Sequence, residues 1–307
     1  MRRTSEVLAA ASSALEDAGL RGSFLVRDLD TGRELGLEPD LLFPLASLVK
    51  VPLALDVLEV AGTGDLDLDE QVLIDATIRV PGATGLCRFT EPASIALADL
   101  LYLAVAVSDD TAAEALFRLC PPEQVTRRLR SMSVTDVTVR HTIGELHRSL
   151  ASRLDPADAH LAQTLAIDSA TQGRGHVIPQ LDVSMANSGS ARAMADVFER
   201  IWSGTDLRPG TSDRLQELLA GNLLRHRLAP DLATDAASWA SKTGTFLHLR
   251  HEVGVVTHRD GGRFVVAALT ESRVPATTQP VAEQTIGWVA RMLHDEVRGY
   301  AEPSRTG

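Results

Sequence analysis

The chain holds 307 residues with a formal net charge of -11, from 30 basic and 41 acidic side chains. At about 150 residues per domain it is one large domain or two intimate ones, and 44% hydrophobic with 23% charged residues suits a globular protein with a full core. The acidic balance argues against nucleic acid or an anionic membrane as main partner, 4% aromatics offer no base-stacking platform, and no apolar run reaches the roughly 18–20 residues needed to span a bilayer.

Arg2 and Arg3 precede an apolar stretch, as in a secretion signal, but Glu6, Glu16 and Asp17 interrupt it. An amphipathic helix over Thr4–Asp17, ending at Gly19, fits better than an export signal, and the expected location is cytoplasmic, or secreted if a signal has been trimmed. Cys87 and Cys120 are too few for a disulfide framework and are read as reduced, structural cysteines. Strands follow at Ser23–Asp28 and Arg33–Leu37, joined by a turn at Asp30-Thr31-Gly32. An apolar helical stretch covers Ser47–Ala61 up to Gly62-Thr63-Gly64. Further helical patterns lie near Ile95–Val105, Thr111–Leu119, Glu123–Met132 and Ala191–Trp202. Strand character returns at Ser238–Lys242, Glu252–His258 and Arg263–Thr270, and Val281–Glu296 closes the chain as an amphipathic helix.

This order predicts an α/β (α+β) fold: one antiparallel sheet built from both ends of the chain and flanked by the terminal helices, plus an all-helical lobe. The expected division is 1–43 with 229–307 for the α/β lobe and 44–228 for the helical one. The least patterned stretch, near 141–189, is too long for a simple connection and reads as an expanded loop region.

Only two of the 30 cations are lysine, Lys50 and Lys242; arginine supplies the rest. Arginine cannot release its proton in a protein, whereas lysine can when burial or charge lowers its pKa. Both lysines sit in short motifs. Ser47-Leu48-Val49-Lys50 opens a helix, with serine and lysine one turn apart on one face. A serine there meets backbone N–H groups, and a neutral lysine beside it could take its proton. Alone, a Ser-x-x-Lys on a helix arises easily by chance. Ser108-Asp109-Asp110 precedes a helix, where any of the three could simply be the N-cap. Lys242-Thr243-Gly244-Thr245 ends a strand, and its plain reading is a turn with a glycine.

In this order the three motifs resemble the class A β-lactamase and penicillin-binding-protein-like serine hydrolase family, whose signature is Ser-x-x-Lys, Ser-Asp-Asn and Lys-Thr-Gly. Phe43-Pro44, Val51-Pro52-Leu53, Thr111-Ala112-Ala113, Ala191–Ala195 and His251–Val256 are also similar to family segments, so the resemblance covers nearly the whole chain. It implies a β-lactamase-like fold in which Ser47 is the acylated nucleophile and Lys50 its proton-transfer partner. Ser108 would pass a proton to the leaving group, and Lys242 would polarise Ser108 and attract a substrate carboxylate with Thr243. Backbone N–H groups of Ser47 and Thr245 would form the oxyanion hole, with Gly244 between the binding residues. Arg250 is a second candidate carboxylate anchor, or a solvated surface arginine.

Two departures stand out. Asp110 replaces the family asparagine; an ionised carboxylate only accepts hydrogen bonds, and its charge works against Lys50 as a base. The family's loop glutamate, in Glu-x-x-x-Asn spacing, has Glu145 as its nearest candidate, after the family-like Val137–Arg140. Ser149 stands where that asparagine would be, and no arginine directly precedes Glu145 to brace the loop. Glu145 is equally an ordinary solvated acid.

His141, His147, His160 and His176 fall in or around the expanded region. Without His-x-x-x-His spacing or a cysteine among them they are read as solvated or structural, with no metal expected. His248 and His251 flank the strand after Lys242, one of them expected to face solvent. No phosphate loop is present and no cofactor is expected.

The sequence therefore predicts a serine acyl-hydrolase acting on a β-lactam or another small, carboxylate-bearing amide or ester. The alternatives are an intracellular esterase, amidase or acyltransferase of specialised metabolism, and a sensor or penicillin-binding protein that is acylated without turnover. For Lys50 the expected need is a proton that can move, and for Lys242 a compact charge.

Overall fold

The computed structural model describes residues 2–153, 161–168 and 175–299; His160 lies outside them. Helix α1 (Arg2–Asp17) leads into β1 (Leu20–Asp28) and β2 (Glu34–Leu37). After the two-residue β3 (Phe43–Pro44), a 3-10 turn over Ala46–Val49 runs straight into α2 (Lys50–Ala61). Strands β4 (Gln71–Ile74) and β5 (Ala93–Ala96) pair as a ribbon, followed by α3 (Leu97–Tyr102), a wide π turn over Leu103–Val107, α4 (Asp110–Leu119) and α5 (Pro122–Ser131). Next come α6 (Ile143–Arg153), α7 (Ala162–Asp168), the short β6 (Ser188–Gly189), α8 (Ala191–Ser203), α9 (Thr211–Ala220) and α10 (Ala229–Leu232). Three long strands, β7 (Ala237–Phe246), β8 (Leu249–His258) and β9 (Arg263–Ser272), precede α11 (Pro280–Arg298).

The main sheet has the order β2-β1-β9-β8-β7 and is antiparallel throughout. The two ends of the chain thus share one sheet, as the pattern of strands predicts. Period-2 alternation sends successive side chains to two separate cores. Phe24, Val26, Val266 and Ala268 pack under α1 and α11 with Ala11, Leu15, Ile286 and Leu293. Leu25, Val253, Val255, Val265 and Ala267 face the other way, into the core shared with α2, α4 and α8. Both faces are covered, so β8 and β9 are buried along nearly their whole length. No helix among the described residues is long and apolar enough to cross a membrane.

The stretch Ile95–Val105, expected to be helical, starts as a strand because Ile95 pairs with Val72 and the backbone bonds of 93–96 go to β4. The helix begins only at Leu97. Part of the 141–189 region is helical, as α6 and α7.

β7 is the edge strand that faces the 3-10 turn. The approach is close enough that a Cβ on Gly244 would lie 2.9 Å from the Leu45 carbonyl oxygen. Glycine is required there by the backbone contact.

Candidate active site

Ser47 lies half-buried in the 3-10 turn, directly after Ala46, which adopts a left-handed φ of 48°. Such a conformation is costly for a residue with a Cβ and persists only where its surroundings fix it. The surroundings do so here. The Leu45 N–H donates to the Asn187 carbonyl at 2.7 Å, and β3 pairs with β6. The His251 ring donates from Nε2 to the Pro44 carbonyl at 2.9 Å, while its Nδ1 accepts from the Thr270 N–H at 3.0 Å. Burial above all drives the His251 pKa down to about 3; the Pro44 bond opposes it and Arg227 adds to it. His251 is therefore a neutral strut between the sheet and the turn that carries Ser47. His248, just before β8, is buried as well, so neither of these two histidines faces solvent.

Lys50 stands one 3-10 turn beyond Ser47, where the near-threefold repeat places i and i+3 on one face. Its side chain is fully buried. Its ammonium is 2.6 Å from the Ser108 carbonyl, 2.6 Å from Asp110 Oδ1 and 3.4 Å from Ser108 Oγ. Among the described residues no hydrogen bond joins it to Ser47. Three donors thus meet three acceptors, one of them a carboxylate.

Ser108 follows the π turn with a left-handed φ of 63°. Asp109 is the N-cap of α4, accepting from the N–H groups of Thr111 and Ala112 at 2.8 and 3.0 Å. Its second oxygen accepts from Leu86 N–H at 2.6 Å, beside Gly85 (φ +80°), where any Cβ would collide with it. With Asp109 engaged in this way, Asp110 is left to face the lysine. Burial raises the Asp110 pKa, but the charge of Lys50 and the bonds from His147 and Lys50 outweigh it and hold the carboxyl at about 2.

Lys242, fully buried on β7, donates to Ser108 Oγ at 2.9 Å and to the Thr243 carbonyl at 2.8 Å. Burial first, and the charge of Lys50 second, hold its pKa well below the usual lysine range; Asp110 opposes them. It is Lys242, expected from the sequence to be a compact charge, whose surroundings favour the neutral amine. Ser108 Oγ accepts from both lysines, which leaves its own proton free for a ligand.

Thr243 is buried, and Thr245 is exposed with Oγ1 accepting from Arg227 Nη2 at 2.8 Å. Arg250 is not a solvated surface arginine: it is buried, and its guanidinium bonds the carbonyls of Leu247, Leu249, Ala276 and Thr277. Glu145 is exposed, and its carboxylate accepts from the Thr142 N–H at 2.7 Å while Thr142 Oγ1 accepts from the Glu145 N–H at 3.3 Å. This reciprocal pair is a capping box at the start of α6, a Thr-x-x-Glu signature visible in the sequence.

Two further residues join the site without a signal in spacing or pattern. Arg227 is buried behind β7 and bonds Glu283, the carbonyls of Gly244 and His251, and Thr245 Oγ1. His147, which the sequence offers only as a solvated or structural histidine, places Nε2 at 3.1 Å from Asp110 Oδ2. His141 and His176 are buried and structural, bonded to Thr142 and Asn187 and to Ala166 and Ile178 respectively. Among the described residues no group of three or more His, Cys, Asp or Glu side chains could hold a metal ion.

A family model described as the beta-lactamase enzyme family matches residues 4–297. The chain belongs to that family. Its sequence is 53% identical over 310 residues, 97% of this chain and 99% of the relative, to the beta-lactamase regulatory protein BlaB of Streptomyces cacaoi. The fold is similar to that of a β-lactamase from Sphaerobacter thermophilus DSM 20745, with 20% identity, a TM-score of 0.76, and coverage of 97% of this chain and 99% of that one. It is also similar to PBP-A, with 19% identity, a TM-score of 0.75, and coverage of 96% and 97%. In this member of the β-lactamase family Lys50, Ser108, Asp110 and Lys242 meet beside the turn that carries Ser47.

Proposed function

We propose that this β-lactamase-family protein is a ligand-responsive receptor. It would hold a small carboxylate-bearing β-lactam, amide or ester between Ser47 and β7 and be occupied or acylated without turnover. The observation that carries this reading is the state of Lys50: its ammonium is spent on Asp110 and Ser108, and no bond reaches Ser47. Acylation would join Ser47 Oγ to the ligand carbonyl carbon and break that carbon's bond to the leaving nitrogen or oxygen. The serine proton must pass to an amine, and the leaving atom must receive one, for which the free Ser108 hydroxyl proton is placed. Release of the acyl group needs a group that activates water, and Glu145, the loop-glutamate candidate from the sequence, is held in its helix cap. The regulatory name of the 53% identical relative supports the same reading.

A second reading, slow hydrolysis, is favoured by Lys242: a buried amine held well below the usual lysine range could accept the proton through Ser108. Intact mass of the protein over time with penicillin G, alongside product release, separates the two. A lasting adduct on Ser47, or saturable stabilisation of the fold with no adduct, is expected for a receptor. Product in large excess over protein would overturn it.

A further inference from the structure

Asp110 offers two oxygens, and each has its own nitrogen partner: Lys50 Nζ at 2.6 Å from Oδ1 and His147 Nε2 at 3.1 Å from Oδ2. One carboxylate serves a buried ammonium and an imidazole able to carry a charge of its own. The His147 side chain is 20% exposed, so protons reach it from solvent, whereas Lys50 behind Asp110 is wholly covered.

Other charged groups around α6 are already engaged. Glu114 on α4 accepts from the Gly144 N–H and the Thr142 hydroxyl, and Glu145 closes the cap. Asp182, after the turn that packs on α6, is taken up by Ser184 and the Gly175 N–H. Arg148 Nη1 and the Glu114 carboxylate both lie close to Gly144. Among the described residues the charged group bonded to His147 is Asp110.

We propose that His147 is a positioning residue of this site, competing with Lys50 for the Asp110 carboxylate so that a proton gained by His147 favours loss of the Lys50 proton and frees that amine to accept the proton of Ser47. The inference rests on the reading of Ser47 as the group that is acylated. Neutral His147 donates one N–H to Oδ2 and fixes the plane of the carboxylate with Oδ1 on Lys50. Charged His147 makes two cations share one anion, and the surplus charge weakens the hold on Lys50. Acid ordinarily slows a serine–lysine site by protonating the base.

His147→Gln keeps an N–H donor for Asp110 but cannot gain a proton. The rate of Ser47 acylation by penicillin G, followed by intact mass from about pH 8 to about pH 5.5, should favour the unmodified protein over H147Q increasingly as pH falls. The ratio should change about tenfold, the size of one neighbouring charge's influence. With Asp110→Asn in both proteins the ratio should be flat. A merely structural role would change the rate equally at every pH, and a flat ratio with Asp110 in place overturns the proposal.

A second measurement needs no ligand. In protein labelled with 15N-histidine, the His147 Nε2 resonance should move on Lys50→Met and stay still when Asp110→Asn is already present. No response to K50M also overturns the proposal. If penicillin G labels no variant at any pH, the acylation reading of Ser47 fails, and the resonance test alone decides the role of His147.

Discussion

Lys50 and Lys242 donate to the same oxygen, Ser108 Oγ, at 3.4 and 2.9 Å. Two ammonium groups meeting at one buried hydroxyl would repel each other, and the structure gives a carboxylate to only one of them. Lys50 has Asp110; Lys242 has two neutral acceptors, Ser108 Oγ and the Thr243 carbonyl.

Methionine at each lysine should therefore have unequal effects on stability. Lys50→Met leaves Asp110 without its main partner, and breaking a buried pair costs about 3–5 kcal/mol. Asp110 is 22% exposed, so solvent reduces the expected loss to about 1–3 kcal/mol. Lys242→Met removes a donor bonded to two neutral acceptors and should cost about 1 kcal/mol or less. Urea unfolding of both variants reads the difference; equal losses would show that the Asp110 pair does not set the two lysines apart.

Asp110→Asn removes the charge that engages Lys50 and restores an amide that can donate to a ligand carbonyl. Acylation by penicillin G should rise by at least about tenfold, since one removed charge contact is worth about 1.4 kcal/mol or more. Unchanged acylation in folded D110N would show that the ion pair is not what restrains Ser47.

The three motifs and the sheet were legible in the sequence because each is local: a one-turn spacing, a helix start, a strand end and period-2 alternation. What escaped notice depended on distance. His147 meets Asp110 across 37 residues, and Arg227 reaches Thr245 across a corner of the sheet. Arg250 sits at the position suggested by resemblance, yet the loop carbonyls of Ala276 and Thr277 close over it. Glu145 differs, because its Thr-x-x-Glu capping signature is local and stands in the sequence itself.

Glu145→Gln should consequently behave as a helix-cap variant. The loss of a charged cap at the start of α6 should cost about 0.5–1 kcal/mol in urea unfolding, and any Ser47 adduct should persist as long as in the unmodified protein. An adduct lifetime about tenfold longer in E145Q would return Glu145 to the chemistry of deacylation.

The neutral His251 strut makes stability depend on pH in a definite direction. In the unfolded chain a histidine takes up a proton near pH 6.5, whereas burial holds His251 at about 3 in the folded protein. Between those values the unfolded state binds the extra proton, so stability rises with pH and is lost on acidification. His258, held at about 4 chiefly by burial and then by Arg298 and His294, acts in the same sense but is more exposed. Asp110 does not compensate: held at about 2, its contribution is intact above about pH 4 and lost only as pH falls further. Unfolding free energy should therefore fall by at least about 2 kcal/mol between about pH 6.5 and about pH 5. His251→Asn, which cannot titrate, should be less stable near neutrality yet show a shallower slope, by about 1.4 kcal/mol per pH unit. Should the unmodified protein be equally stable across that range, His251 is not the neutral link between the sheet and the Pro44 carbonyl.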